Sequence, residues 1–193
     1  MKKILVINGH PSPDQSFCRS IYDTYLQGLE KTNFEVKSID MGAIEFDSNL
    51  KYGYSKRVEL EPCLMEAQEK IIWSNHIVII HPVWWGSLPA KFKGFFDRTF
   101  LPGFAFEKRE DSVWWDKLLV GKSAHIISTL DQPGYYYRLR YGRPSHRALK
   151  DMTLNFSGIS PVRSTVIGPV RNSTENFKEK QLDKILKLSL KGR

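Results

Sequence analysis

Short apolar runs alternate with amphipathic segments along the chain. Residues 3–7 read Lys-Ile-Leu-Val-Ile and stop at Asn-Gly, a pattern typical of a strand that is buried on both faces. Apolar residues then recur at every fourth position from 17 to 29, which predicts a helix with Asp14 or Ser16 as its N-cap. The same patterns continue downstream and predict strands at 34–39, 76–81, 124–128 and 162–167, and helices from residue 62 and over about 89–100, 145–156 and 175–190.

Five strands that each lead into a helix indicate the fold class. Right-handed crossovers between parallel strands place helices on both faces of one open sheet, so the pattern predicts a doubly wound α/β protein. The long Gly- and Asp-containing stretch that ends at Glu61 is expected to be a surface loop. A length of 193 residues suits one compact domain over residues 1–193.

Composition and cysteine content narrow the class of protein. The longest apolar stretch, around residues 77–80, is far below the roughly 18 residues of a membrane span, so we expect no membrane insertion. Cys18 and Cys63 have neither CxxC nor metal-ligand spacing, which suits a reducing compartment. No other His, Cys or carboxylate pair has the spacing of a metal site. A cytoplasmic protein without a metal is the resulting expectation.

The net charge of +8 favours an anionic partner, such as nucleic acid, acidic lipid or a phosphorylated small molecule. However, the basic residues form no long block, and they do not interleave with aromatics in a nucleic-acid-binding motif. The sequence therefore argues against nucleic acid and leaves a phosphorylated small molecule open.

The loop after the first strand is a candidate phosphate site, because doubly wound sheets bind ligands beyond the carboxyl ends of their strands. It reads Gly-His-Pro-Ser-Pro-Asp-Gln-Ser and enters a helix, where free N–H groups, hydroxyls and an imidazole can converge on an anion. His10, Ser12 and Ser16 are its candidate ligands. The loop lacks G-x-G-x-x-G and the P-loop lysine, so a turn and helix cap without a ligand is the alternative.

The loop after the third strand contains two adjacent tryptophans, Trp84 and Trp85, followed by Gly86. Indole rings at a strand end can flank a flat ligand, and a glycine lets backbone approach that ligand closely. The alternative is that both indoles fill the core. Histidines at 76, 81 and 125 lie in or beside strands and are interpreted as core residues rather than catalysts.

Residues 82–98 read Pro-Val-Trp-Trp-Gly-Ser-Leu-Pro-Ala-Lys-Phe-Lys-Gly-Phe-Phe-Asp-Arg, which closely resembles a signature of the flavodoxin-like NAD(P)H:quinone oxidoreductases, the DT-diaphorase family. The first loop, with Gly9-His10-Pro11 and Ser16-Phe17, resembles the flavin phosphate loop of the same family. The resemblance implies a five-stranded parallel sheet in the order 2-1-3-4-5. It also implies a bound flavin, ping-pong reduction of a quinone by NAD(P)H, and a homodimer.

The resemblance also assigns roles to particular residues. FAD is favoured over the alternative FMN because Ser16-Phe17 resembles the FAD-using members. Backbone N–H groups at Trp85 and Gly86 are the candidates for stabilising negative charge on the reduced ring. By resemblance, the flavin phosphates would be held by His10, Ser16 and Phe17, the isoalloxazine by Pro82, Val83, Trp84, Trp85 and Gly86, and the far side of the ring by Ser128 and Thr129. The other candidate cofactor-binding residues are Ser12, Cys18 and Asp131.

Some positions depart from the family pattern. Leu130-Asp131 stands where DT-diaphorases have a Gly-Gly pair, and Cys18 stands where their motif has Asn. The Tyr and His of the family's proposed proton relay have no unambiguous match, and the C-terminal extension of the mammalian enzymes is lacking.

The loop predicted at 129–137 is expected to form the substrate side of the site. Tyr135 and Tyr136 are the candidate catalytic residues as hydrogen-bond donors, and arginines at 138, 140, 143 and 147 could meet the phosphates of NAD(P)H. A solvated loop partly covered in a dimer is the alternative. Trp114 and Trp115, expected to be exposed, also favour a homodimer.

Two other classes of protein stay open. One is a flavin-binding electron carrier, or a regulatory subunit of a membrane transporter, without physiological turnover. Carriers usually dock through acidic patches, whereas this chain is +8, so the charge favours the enzyme. The other is an α/β nucleotide-binding module without a flavin.

Overall fold

A five-stranded parallel sheet forms the centre of the protein. The structure is a computed structural model that describes residues 1–56 and 58–192. The strands are β1 (Lys3–Asn8), β2 (Glu35–Asp40), β3 (His76–Pro82), β4 (Phe106–Lys108), β5 (Trp115–Lys117), β6 (Ser123–Thr129) and β7 (Val162–Ile167). The order in the sheet is β2-β1-β3-β6-β7, and every neighbouring pair is parallel, as expected from the sequence. A separate antiparallel hairpin pairs β4 with β5.

Helices connect the strands and cover both faces of the sheet. Their bounds are α1 (Phe17–Glu30), α2 (Pro62–Trp73), α3 (Ala90–Thr99), α4 (Gly134–Tyr141), α5 (Pro144–Leu149), α6 (Asn155–Ser157) and α7 (Glu175–Ser189). A five-residue π-helical turn, Lys150–Leu154, joins α5 to α6. No helix among the described residues is long and apolar enough to cross a membrane.

Two hydrophobic clusters fill the space on either side of the sheet. Alternate residues of β1 divide between them: Leu5 and Ile7 join the cluster that includes α2 and α3, while Ile4 and Val6 join the cluster with α1 and α7. All four side chains are at most 2% exposed, which explains why β1 reads as a continuous apolar run. The doubly wound α/β fold predicted from the sequence is confirmed.

Strand register collects the carboxyl ends of the central strands at one edge. Asn8 of β1 pairs with Ile80 of β3, and Pro82 of β3 pairs with Thr129 of β6. The N–H of Gly9 donates to the Ile80 carbonyl at 2.7 Å, so the first loop starts directly beside β3. The three loops that the sequence singled out therefore meet at this edge.

The structure differs from the sequence predictions in three places. The stretch expected to be a loop at 129–137 ends in a helix, because α4 begins at Gly134. The hairpin of β4 and β5 has no counterpart among the predicted elements, since its three-residue strands are too short to show a period. Trp115 is not an exposed residue: it stacks on Phe156 at 4.0 Å between ring centroids, and its Nε1–H donates to the Phe156 carbonyl.

Candidate functional site

The first loop and the start of α1 form a pocket with several free donors. The Ser16 hydroxyl caps α1 by accepting the N–H of Arg19 at 3.1 Å, which leaves the N–H groups of Phe17 and Cys18 at the helix start. The ring of His10 accepts the N–H of Ser12 at Nδ1, so the neutral imidazole carries its proton on Nε2. This terminus can bind an anionic group through N–H donors and the helix dipole.

A tight hairpin turn follows β3. The N–H of Trp84 donates to the carbonyl of Ser87 and the N–H of Ser87 to the carbonyl of Trp84, which closes a two-residue turn. Trp85 and Gly86 occupy that turn at φ 51° and 75°, the left-handed conformations of a type I′ turn. Neither residue donates its N–H to a backbone carbonyl among the described residues, so both groups are available to a ligand.

The two tryptophans have different environments. Trp85 is fully exposed, so it is not part of the core. Trp84 is 45% exposed and meets His10 edge-on with ring centroids 5.6 Å apart. The alternative interpretation of the pair as core residues is therefore excluded for Trp85.

A cavity of about 160 Å³, here called the smaller cavity, lies between the first loop, the end of β3 and the end of β6. Its walls are partly polar and partly apolar. Its lining consists of His10, Ser16, Phe17, Cys18, Pro82, Val83, Trp84, Thr129, Leu130, Asp131 and Val170.

A second cavity of about 520 Å³, here called the larger cavity, adjoins the first. The two share Val83, Leu130 and Asp131, so they form one continuous region at the carboxyl edge of the sheet. The larger cavity is lined by Val83, Trp85, Gly86, Leu130, Asp131, Gln132, Tyr137, Tyr141 and Pro144. A volume of this order suits a planar aromatic substrate.

Most of the candidate site residues lie in these linings, but four do not: Ser12, Ser128, Tyr135 and Tyr136. Ser12 lies in the first loop, where its hydroxyl donates to the Asp14 carboxylate at 2.9 Å. Ser128 is fully buried and its hydroxyl meets Nε2 of His146 at 3.3 Å. Because successive strand residues point to opposite faces, Thr129 faces the smaller cavity and Ser128 the other side of the sheet.

Helix α4 determines which tyrosines reach the site. Tyr135 is 70% exposed and Tyr136 41%, and neither lines a cavity, whereas Tyr137 and Tyr141 lie one turn apart on the face toward the larger cavity. The hydroxyl of Tyr137 accepts the N–H of Ser145 at 3.1 Å. Sequence reasoning missed these two residues because it treated the segment as a loop, although the four-residue spacing of tyrosines 137 and 141 was the available signal.

Two buried histidines, His81 and His146, lie with ring centroids 6.4 Å apart, and the His146 ring meets the ring of Tyr137 at 6.0 Å. Burial lowers the pKa of His81 to about 4, against a smaller effect of its hydrogen bond to the Pro82 carbonyl. Burial also lowers the pKa of His146 to about 4, with help from the positive charge of Arg143. Both rings are therefore neutral at pH 7.

Cys18 presents a thiol rather than a thiolate to the smaller cavity. Burial raises its pKa to about 12, although a hydrogen bond between its sulfur and the Thr129 hydroxyl at 3.0 Å opposes the shift. A thiol with this pKa is inert as a nucleophile at neutral pH.

Electrostatically, the two linings contain one carboxylate, Asp131, and no lysine or arginine among the described residues. Asp131 is paired outside the cavities with Arg171, whose Nε lies 3.3 Å from Oδ2. No group of three or more His, Cys, Asp or Glu side chains in the described ranges could hold a metal ion.

This donor set fits a flavin. A helix terminus with free N–H groups can hold a phosphate, and a left-handed turn presents two main-chain N–H groups beside an exposed indole. The geometry is therefore that of a site at the carboxyl edge of a doubly wound sheet, with donors and walls that suit a phosphorylated planar molecule.

Comparison with known proteins gives the family. Residues 2–188 match the family model described as flavodoxin-like fold, so the chain belongs to this flavodoxin-like family. Relatives and structural neighbours include proteins named NAD(P)H:quinone oxidoreductase and ribosyldihydronicotinamide dehydrogenase [quinone], which confirms the resemblance drawn from the sequence.

Particular proteins show how far the likeness extends. Smu.1420 from Streptococcus mutans UA159 is 28% identical, with a TM-score of 0.85 over 98% of this chain and 99% of that chain. NAD(P)H:quinone oxidoreductase from Methanothermobacter marburgensis is 21% identical, with a TM-score of 0.84 over 100% and 99%, and this likeness shows the fold. Ribosyldihydronicotinamide dehydrogenase-like protein traD from Penicillium crustosum is 26% identical over 163 residues, 72% of this chain but only 61% of that relative.

Proposed function

We propose that this protein is a flavin-dependent NAD(P)H oxidoreductase that reduces quinones or similar acceptors by two electrons. The observation that carries this proposal is the pair of adjoining cavities, one beside a helix terminus with free N–H groups and one large enough for a flat ring. An electron carrier needs only the first of these. The larger cavity therefore favours an enzyme over a carrier or a regulatory subunit.

The residues of the first loop and α1 would hold the phosphate end of the flavin. The N–H groups of Phe17 and Cys18 and the Nε2–H of His10 are the donors, while the Ser16 hydroxyl keeps the helix start in place. Thr129, whose hydroxyl is hydrogen-bonded to the Cys18 sulfur, forms the wall of the smaller cavity on the β6 side. Among the described residues, the lining of the smaller cavity contains no carboxylate besides Asp131 that would repel the anion.

The turn after β3 would bind the ring system. The N–H groups of Trp85 and Gly86 are fixed by the left-handed turn and can stabilise negative charge without rearrangement. The exposed Trp85 indole provides a stacking surface. When bound, the flavin supplies the hydride and electron chemistry that no side chain of this site can perform.

The larger cavity would accept the substrates in turn. Tyr137 and Tyr141 form one wall, and Trp85 and Gly86 another, so a nicotinamide and then a quinone could occupy the same space. Binding at one shared place implies a ping-pong order, in which oxidised nicotinamide leaves before the acceptor enters. An aromatic cavity without a dense set of polar side chains also implies broad acceptor selectivity.

Several finer points belong to the same proposal. We favour FAD over FMN, on the resemblance of Ser16-Phe17 to FAD-using members, and a single domain over residues 1–193. We also propose a homodimer, supported by apolar side chains exposed on the hairpin and α4, of which Trp114 is 65% and Leu139 80% exposed. Two free cysteines suit a reducing compartment, and we propose the cytoplasm.

The test combines cofactor identification with kinetics. Heat-released cofactor is identified by mass, which separates FAD from FMN, and NAD(P)H oxidation is followed with a set of quinones. The proposal expects a yellow protein, turnover with quinone, and parallel lines in double-reciprocal plots. A protein that takes up neither FAD nor FMN, or a flavoprotein that does not oxidise NAD(P)H with any quinone, contradicts it. Light scattering tests the dimer.

A further inference from the structure

Asp131 occupies an unusual position for a charged side chain. It lines both the smaller and the larger cavity, and it is the one carboxylate in either lining among the described residues. A planar ligand that fills one cavity and borders the other therefore lies beside this carboxylate.

Backbone contacts hold Asp131 in this position. The N–H of Arg171 donates to its Oδ1 at 3.0 Å, and the N–H of Val170 donates to the carbonyl of Leu130, also at 3.0 Å. A Cβ on Gly168 would lie 2.7 Å from the Leu130 carbonyl oxygen, so the segment after β7 packs against the segment after β6 without space for a side chain. The carboxylate is thus positioned by main-chain geometry rather than by its own flexible rotamers.

Arg171 balances the charge from the solvent side. Its Nε lies 3.3 Å from Oδ2 of Asp131, its side chain is 78% exposed, and it lines neither cavity. Asp131 borders the cavities and is itself 51% exposed, whereas the more exposed Arg171 borders neither cavity. The electrostatic potential at a ligand in the cavities is therefore set by a near carboxylate whose negative charge is partly offset by a more distant guanidinium.

We propose that the Asp131–Arg171 pair sets the relative affinity of the site for reduced and oxidised flavin. This inference rests on the proposed function. Transfer of a hydride from NAD(P)H adds two electrons and one proton to the flavin ring, which thereby gains one negative charge. The Asp131 carboxylate disfavours that gain and Arg171 offsets the effect, so together they determine the potential at which the cofactor is reduced.

The magnitude follows from Coulomb's law in a partly hydrated site. A unit charge several ångströms away in such surroundings changes the ratio of the two affinities by about three- to tenfold. Because a tenfold change corresponds to about 30 mV for a two-electron couple, the expected shift in midpoint potential is about 15 to 30 mV. Screening by salt reduces a shift of this origin.

The experiment measures the midpoint potential of the flavin-loaded protein by equilibrium titration against a reference dye. Asp131→Asn is expected to raise the midpoint potential and Arg171→Gln to lower it. Each variant should change the ratio of the affinities for reduced and oxidised flavin by about three- to tenfold, and by less at high salt. Asp131→Glu keeps the charge and should retain the wild-type potential. Asp183→Asn removes one carboxylate from α7, outside both linings, and should also leave the potential unchanged.

Shifts of opposite sign in the midpoint potentials of Asp131→Asn and Arg171→Gln distinguish an electrostatic role from a structural one. If the two substitutions only loosened the contact between the segments after β6 and β7, both potentials would shift in the same direction. Shifts of equal sign, or no shift in Asp131→Asn and Arg171→Gln, overturn the inference while leaving the flavoenzyme intact. If Asp131→Asn cannot retain flavin, the other two variants test the inference. A lower potential in Arg171→Gln together with an unchanged potential in Asp131→Glu supports it, and any other combination overturns it. Wild-type protein that takes up no flavin overturns the proposed function and this inference together.

Discussion

Replacement of Trp85 should change the affinity for flavin without lowering the stability of the free protein, because this residue is fully exposed and lies in a strained turn. Trp85→Ala removes no buried contact from the free protein, so its melting temperature should stay unchanged. It should weaken flavin binding by about 1 to 3 kcal/mol, the scale of burying one aromatic side chain against a ring. That loss corresponds to roughly a 5- to 150-fold increase in Kd.

Trp85→Gly makes the prediction sharper. A non-glycine residue at φ 51° is strained by about 1 kcal/mol, and glycine relieves that strain. The free Trp85→Gly protein should therefore be at least as stable as wild type, yet bind flavin as weakly as Trp85→Ala. No loss that arises from a damaged core could give this combination.

Thermal melts of flavin-free protein and titrations of flavin fluorescence measure the two quantities independently. Trp114→Ala is the matched control, since it removes an indole that is 65% exposed on the β4–β5 side and lines neither cavity. Its flavin Kd should equal that of wild type. Unchanged flavin affinity in both Trp85 variants, or a large drop in their melting temperature, would refute the placement of the ring beside this turn.

Three further predictions concern other parts of the structure. Tyr137→Phe should lower stability by about 1 to 3 kcal/mol in urea unfolding, because it removes the acceptor of a buried N–H, and should change turnover, whereas Tyr135→Phe should do neither; equal behaviour of the two contradicts the assignment of the wall. Arg98→Ala should cost about 2 to 3 kcal/mol, since Arg98 is 2% exposed and its guanidinium binds Glu61 and the carbonyls of Asp47 and Glu59; a loss below 1 kcal/mol would contradict it. Burial lowers the folded-state pKa to about 3 for His76 and to about 4 for His81 and His146, so the unfolded chain takes up protons first as the pH falls. The free energy of unfolding should therefore be highest above the ordinary histidine pKa of 6.5 and decrease as the pH drops toward 4. Urea titrations at pH 7 and about 5.5 should differ by about 1 kcal/mol for each of these three histidines, and equal free energies at the two pH values would contradict the lowered pKa values.

The central sheet could be predicted from the sequence because burial on both faces leaves a direct mark. Strands such as His76–Pro82 are buried throughout, so they appear as unbroken apolar runs between polar residues. The β4–β5 hairpin leaves no such mark, since its strands of three residues are partly or fully exposed and include charged side chains.

The candidate site was predictable where it lies on short loops next to these strands. Thr129 is the last residue of β6, and His10 and Trp85 lie shortly after the ends of β1 and β3, so the predicted strand ends also placed these residues. The contact of Asp131 with Arg171 joins residues 40 positions apart and depends on how two loops pack, which no local pattern encodes. Tyr137 was missed for another reason: α4 has only eight residues, so the spacing of tyrosines 137 and 141 is the one helical repeat that its sequence offers before the left-handed C-cap Gly142.

The most direct test of the central claim is an anaerobic titration of the flavin-loaded protein in two separate steps. NAD(P)H is added first, without any acceptor, and the flavin absorbance is followed; quinone is then added after oxidised nicotinamide has been removed. The account predicts that one equivalent of NAD(P)H bleaches the flavin and that one equivalent of quinone restores it, because the proposed function has the two substrates enter the larger cavity in turn. A flavin that stays oxidised until NAD(P)H and quinone are present together, or that is bleached but not restored by quinone, would contradict it.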